Sequence, residues 1–194
     1  MAEPLQPEVE QKLRQGFRYL NHFMVFMWRL GLGRMMSRRE FTGQIMVLTH
    51  TGRKSGLRRR TPVNYALVDG EVYCTAGFGA QSDWYRNIQA NPQVEVWLPE
   101  GWWAGVAEDV SADPRRLEIL RKVVIASGLA SYIFGIDPFK ISDAELDRVS
   151  EKYRLVRIRR TIPCTGLNGP GDLAWVWMAS TLGLLLALMR RKKK

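Results

Sequence analysis

Two short stretches of this chain carry the residue types from which a ligand site can be built. The first is Thr51-Gly52-Arg53-Lys54-Ser55-Gly56-Leu57-Arg58-Arg59-Arg60-Thr61-Pro62, with five positive charges between Arg53 and Arg60. Its glycines let backbone N–H groups turn toward a ligand, Ser55 and Thr61 add hydroxyls, and the guanidinium forks match phosphate or carboxylate oxygens. It is not a Walker loop, because Arg53 precedes Lys54 where that motif needs glycine. The second stretch is Ala76-Gly77-Phe78-Gly79-Ala80-Gln81-Ser82-Asp83-Trp84-Tyr85-Arg86-Asn87. Two glycines lead into a helix N-terminus, which offers N–H groups and the positive end of the helix dipole. Trp84 and Asn87 lie three apart on one helix face, an indole wall beside an amide. A dinucleotide fingerprint fails here, since Ser82 stands where a third glycine belongs.

The rest of the catalytic menu is thin. The 194 residues include only His22 and His50, and only Cys74 and Cys164. No C-x-x-C, H-E-x-x-H, G-x-S-x-G or EF-hand pattern occurs, so disulfide, zinc and nucleophile-elbow chemistry are not indicated and no metal site is expected. A reducing compartment follows, and the acidic Glu3, Glu8 and Glu10 argue against a secretory leader. His50, at the end of the first strand, is read as structural. Half of the +10 net charge sits in the last five residues, Arg190 to Lys194, so the body is only mildly basic.

The elements that must position these groups follow from periodicity. After Pro7, apolar residues at Val9, Leu13, Phe17, Leu20, Met24, Met27 and Leu30 mark one face of a helix that Gly31 and Gly33 end. Arg18, Arg29, Arg34, Arg38 and Arg39 accompany it, which suits either packing on the domain or lying on an anionic membrane surface. From residue 44 the pattern turns strand-like: 44–50, 61–68, 71–76, 93–98, 102–110 and 153–160. Asp69-Gly70 predicts a type I′ hairpin. Pro99-Glu100-Gly101 separates a second pair. Helices are expected over 82–90 with Ser82 as cap, from Asp113-Pro114 to about 126, and after Ser142, whose partner Glu145 fits a capping box. Antiparallel hairpins with helices in the gaps predict an α+β fold with a small barrel or curled sheet, not a doubly wound one.

In order and spacing, Thr-Gly-Arg-Lys-Ser-Gly, the following arginines and Thr-Pro, the Gly-x-Gly turn, and Trp-Tyr-x-Asn-x-x-x-Asn-Pro resemble the deazaflavin-dependent nitroreductase family. The resemblance covers residues 44–161. It implies a six-stranded antiparallel split β-barrel that uses coenzyme F420, with the flavin FMN as the alternative cofactor. It implies that Arg53, Lys54, Ser55, Gly56, Arg59, Arg60 and Pro62 hold the phosphate and acidic tail. Ala76, Gly77, Phe78 and Gly79 would line the ring or ribityl chain, braced by Trp84 and Asn87. Tyr132, in Ser-Tyr-Ile-Phe-Gly, is the implied catalytic tyrosine near the substrate. Many members carry a lysine and a longer loop before the Trp helix, where this chain has Phe78 and Ala80-Gln81-Ser82-Asp83. The chemistry asked of the protein is modest: orient the ring, exclude water and offer a donor to the charge that develops on the acceptor.

The expected organisation is an N-terminal amphipathic helix over 1–40, a cofactor-binding barrel over 41–161, a Gly/Pro linker over 162–172 and a hydrophobic segment with basic tail over 173–194. That last segment opens at Leu173 and reaches Met189 without a charge, seventeen residues in all. As a helix it is ~25 Å long, at the short end of what crosses a ~30 Å hydrocarbon core. Trp175 and Trp177 suit an interfacial belt. The reading is therefore a reductase held by this segment at the cytoplasmic face of the cell membrane. It would pass hydride from F420 to a small or lipophilic acceptor such as a quinone, enone or nitro compound. A monomer or weak homo-oligomer is expected. A non-enzymatic barrel that binds lipid or haem is the alternative, and nucleic-acid binding is least favoured because no continuous basic stripe accompanies residues 53–60.

Overall fold

The computed structural model describes residues 7–37 and 43–191. Arg38, Arg39 and the basic residues 192–194 lie outside the described residues. The six expected strands all form: β1 (Ile45–Thr51), β2 (Arg58–Val68), β3 (Glu71–Ala76), β4 (Gln93–Leu98), β5 (Gly101–Asp109) and β6 (Arg154–Pro163). Every pairing is antiparallel, in the order β1-β2-β3-β6-β5-β4, and β1 pairs with both β2 and β4, so the sheet closes into a barrel. Each strand has two neighbours, but β2 pairs with β1 over Arg58–Asn64 and with β3 only over Tyr65–Val68, which leaves one side of its first half free of strand partners among the described residues. The β2–β3 turn is the predicted one, with φ of 52° at Asp69 and 81° at Gly70. In the β4–β5 turn, strand pairing starts one residue early, at Gly101 opposite Leu98.

Alternation decides which side chains meet. Leu48 pairs with Thr61, and Met46, Leu48, Val63 and Tyr65 fill the barrel interior with Val96 and Ile158. The intervening residues point outward. There Ala66, Val68 and Tyr73 receive Ile119 and Val123 from α4 (Arg116–Ala126). On the same outer surface Val47 and Trp97 receive Trp28 from α1 (Pro7–Arg29), which a short α2 (Gly33–Met36) follows.

The remaining helices are α3 (Asp83–Ala90), α5 (Leu129–Ile133), α6 (Asp143–Val149) and α7 (Trp175–Arg191). Ser82 occupies the cap position of α3, yet its side chain makes no capping bond. Ser142 does cap α6, accepting from the N–H of Glu145 at 3.3 Å. The helix expected from Asp113 begins three residues later, because the Asp113 carboxylate accepts from the N–H of Arg115 and holds a turn there.

The expected linker is a packed strap. Strand β6 continues to Pro163, and Gly169 lies so close to Trp102 that a Cβ there would sit 2.6 Å from the indole. Asp172 pairs with Arg29, the N–H of Gly171 donates to Trp28 O, and that of Leu173 donates to Arg29 O. These bonds use Leu173 and Ala174 in a turn, which corrects the expectation of a transmembrane helix. Only fifteen uncharged residues, 175–189, remain helical, about 22 Å. Among the described residues, no helix is long and apolar enough to cross a membrane.

Candidate functional site

A cavity of about 1130 Å³ opens beside the first half of β2. Both faces of that strand reach it. From the interior face come Arg59 and Thr61, near His50 of β1; from the outer face come Arg58, Arg60, Pro62 and Asn64. Gly77 and Phe78 from the turn after β3 form one wall, and Asp83, Trp84 and Asn87 of α3 form another. Phe78 meets Phe134 edge to face, 5.6 Å between ring centres.

The two motifs lie in contact. Arg53 donates to Asn87 twice, through its backbone N–H at 3.1 Å and Nη1 at 2.9 Å, and its Nη2 donates to the Asp83 carboxylate at 3.0 Å. This clamp ties the basic loop to α3 and uses the Arg53 fork internally. Most of the loop's N–H groups are spent likewise, Lys54 aside, which limits the expected backbone cradle. Gly52 donates to Leu57 O, Ser55 and Gly56 both donate to Gly52 O, and the Leu57 N–H donates to Ser55 Oγ. What the loop leaves for an anion is chiefly its side chains.

Of the implied binding residues, the structure brings Arg59, Arg60, Pro62, Gly77, Phe78, Trp84 and Asn87 to the cavity wall. Lys54, Ser55 and Gly56 are exposed beyond it. Ser55 reaches back to Arg59, accepting from Nη2 at 3.4 Å. Ala76 is buried in the barrel core, and Gly79 holds a φ of +60° against the carbonyl of Lys152. Tyr132 is 48% exposed and outside the lining, whereas its neighbours Ser131 and Phe134 are in it.

Residues that sequence reasoning passed over complete the cavity. Helix α1 contributes Asn21, His22, Val25, Phe26 and Arg29, at helical spacing beside its apolar stripe, and that spacing was the available signal. Val124, Ser127 and Tyr153 come from segments whose sequences show nothing distinctive.

Charge in the cavity is uneven. Arg29 pairs with Asp172 and Arg58 with Glu95. Arg60 lies 4.6 Å over the Trp97 ring and donates through Nη2 to Asn168 O at 2.6 Å, but its buried Nε has no partner among the described residues. Burial, then the nearby Arg29 and Arg58, hold its guanidinium below the ordinary arginine value. Such a group gains from an incoming anion. His50 is 3% exposed, with Nε2 3.1 Å from Thr61 Oγ1 and Nδ1 3.1 Å from Asn87 Nδ2. Burial, helped by Arg59, pushes its imidazole down to about 4, so the ring is neutral. With both nitrogens engaged, it offers no axial ligand to a haem.

Residues 28–137, more than half of the chain, match the family model for F420H(2)-dependent quinone reductase. Among solved structures, a conserved hypothetical protein of Mycobacterium tuberculosis is 23% identical, with 64% of this chain and 84% of that one covered, at a TM-score of 0.44. A structure named F420 reductase is 19% identical, covering 66% and 93%, at 0.44. HutZ, the haem storage protein of Vibrio cholerae, is 14% identical, covering 63% and 82%, at 0.41. Likenesses at these scores carry no functional inference.

Proposed function

The chain belongs to the F420H(2)-dependent quinone reductase family, and on that premise we propose that it reduces a quinone at a membrane surface. Membership makes it an F420H2-dependent reductase with coenzyme F420 as its cofactor. The observation that carries the reading is one cavity whose lining combines the arginines of β2 with the ring-sized walls of Phe78 and Trp84. Arg60, whose buried Nε has no partner among the described residues and lies near Arg29 and Arg58, complements the anionic tail of F420. Gly77, Phe78 and Trp84 suit its flat ring, and about 1130 Å³ gives the room. These residues fit the group.

When bound in reduced form, F420 supplies a hydride, and a proton from water completes the two-electron reduction of a quinone to its hydroquinone. The protein's part is positional. Trp84 and Phe78 would hold the ring, the barrel and α1 would exclude water, and Arg59 and Arg60 would neutralise the tail in a cleft lined by both polar and apolar side chains.

A quinone, rather than a nitro compound or enone, is favoured by the surface beside the cavity. Helix α1 exposes Tyr19, Leu20, Phe23 and Phe26, and Phe26 also lines the cavity. Helix α7 exposes Trp175, Trp177, Met178, Leu182 and Leu185, and Trp177 Nε1 donates to Leu30 O beside α1. The exposed apolar residues of α1 and α7, with Arg190 near the end of α7, suit an anionic lipid surface, where lipid-soluble quinones concentrate. Helix α7 lies along that surface.

Titration of the purified chain with oxidised F420, followed by F420H2 oxidation with a long-chain quinone, tests the proposal. Low-micromolar binding and quinone-dependent turnover are expected, with co-sedimentation on vesicles containing anionic lipid. Absence of F420 binding refutes the cofactor reading, and turnover with nitro compounds or enones alone refutes the quinone.

A further inference from the structure

The hydrogen bonds behind the cavity wall fix the direction in which one wall hydroxyl points. Asn87 is 3% exposed, and one of its amide atoms accepts from two donors, the Arg53 N–H and Nη1. Only an oxygen can do that, so the atom facing His50 is the NH2 group. It lies 3.1 Å from Nδ1 of the ring. Nδ1 must therefore be the bare, accepting nitrogen, and the proton of the neutral ring sits on Nε2. Nε2–H in turn faces Thr61 Oγ1 at 3.1 Å. With an oxygen lone pair so used, the Thr61 O–H is left to donate. Thr61 has no other side-chain hydrogen bond among the described residues, and it lines the cavity beside Arg59.

We propose that Thr61 is a specificity-determining hydroxyl that donates to an oxygen of the bound ligand, and that His50 and Asn87 are positioning residues that hold it in the donor sense. The recognised chemistry is an acceptor oxygen, anionic or carbonyl, on either the cofactor or the quinone. A ligand that offers no acceptor at this point leaves the Thr61 O–H unsatisfied and binds less well. The burial that keeps His50 neutral protects the arrangement, since a proton on Nδ1 would confront the Asn87 amide. The chain of bonds also explains why the Arg53 fork is turned inward: it orients the amide that orients the ring.

The assignment rests on the F420-dependent reading for its ligand but not for its geometry, so two measurements separate them. In the unliganded protein, ¹⁵N NMR of His50 should show a pyridine-type Nδ1 and a protonated, pyrrole-type Nε2; a proton on Nδ1 overturns the proposal. Thr61→Val keeps the β-branched shape and removes the hydroxyl. It should weaken F420 binding, or raise the quinone KM with F420 affinity unchanged, by about ten- to a hundredfold. Thr61→Ser should recover most of the loss, and the two arms tell which ligand supplies the oxygen. His50→Leu should match Thr61→Val, with thermal unfolding confirming that each variant is folded. Wild-type protein that binds F420 alongside a Thr61→Val variant equal to it in Kd and KM refutes the Thr61 assignment alone. Wild-type protein that does not bind F420 refutes the functional reading instead.

Discussion

The buried imidazole of His50 makes a quantitative prediction about stability and pH. In the unfolded chain a histidine takes up its proton near pH 6.5. In the folded protein burial, then the Arg59 charge, lower that value to about 4, with Asp83 opposing weakly. Between these values the unfolded state binds a proton that the folded state does not, so folding weakens as pH falls. The contribution is fully present above pH 6.5, declines through the interval and is exhausted below about 4. Worked through the linkage relation, the loss between pH 7 and pH 5 is about 2 kcal/mol. No solvent discount applies, because the side chain is 3% exposed. The assay is urea unfolding followed by tryptophan fluorescence at pH 7, 6 and 5, on wild type and His50→Gln. Every other ionisable group is common to both proteins, so the difference between their pH slopes isolates His50. The wild type should lose about 2 kcal/mol more than the variant over this range. Parallel pH dependences would mean that His50 is accessible to protons in the native state, and the polarity argument for Thr61 would fall with it.

Three further outcomes follow from the cavity and the turns around it. Arg60→Met should raise the F420 Kd about tenfold or more at low ionic strength, with the gap narrowing as salt is added; isothermal titration at two salt concentrations reads both. Asn87→Leu strands His50 Nδ1 in a buried place while the exposed Arg53 donors turn to water, and should cost about 1–3 kcal/mol in urea unfolding. Gly79→Ala should cost more than Gly56→Ala, although both glycines have φ near +60°. A Cβ at Gly79 would lie 2.3 Å from Lys152 O, whereas none of the described atoms comes within 4 Å at Gly56. Strain alone is about 1–3 kcal/mol, so only Gly79→Ala should exceed it, as urea midpoints will read.

Much of the fold could be read from the chain because the signals were local. Asp69-Gly70 demands positive φ at both positions, and the turn formed as expected. Alternating apolar residues placed six strands, since one face of each had to be buried. What escaped was tertiary. Nothing near Asp172 says that it will meet Arg29, 143 positions away, or that residues 168–173 will pin α1 beside the cavity. The loop at 51–58 misled for a related reason. Its glycines do bend the backbone, but most of the N–H groups freed by the bend find carbonyls within the loop and the amide of Asn87. Motif reading counts donors; it does not count the acceptors that fold onto them.

The same period of two that revealed β2 explains why its arginines are not equivalent. Thr61, Val63 and Tyr65 follow Leu48 into the barrel, so Arg59 emerges on the inner side near His50, while Arg60 emerges on the outer side over Trp97. A run of three arginines thus divides between two surfaces. Arg59 lies with Ser55 on the side toward the α3 clamp, and Arg58 and Arg60 join Arg29 under α1. One strand can then serve both sides of an elongated ligand that wraps its free half, because pleating turns adjacent residues 180° apart. The fit to a cofactor with an anionic tail follows from this division more than from the number of charges. A chain with five cations on one face would repel itself, whereas here Glu95 and Asp172 neutralise the flanking pair and leave Arg60 for the ligand.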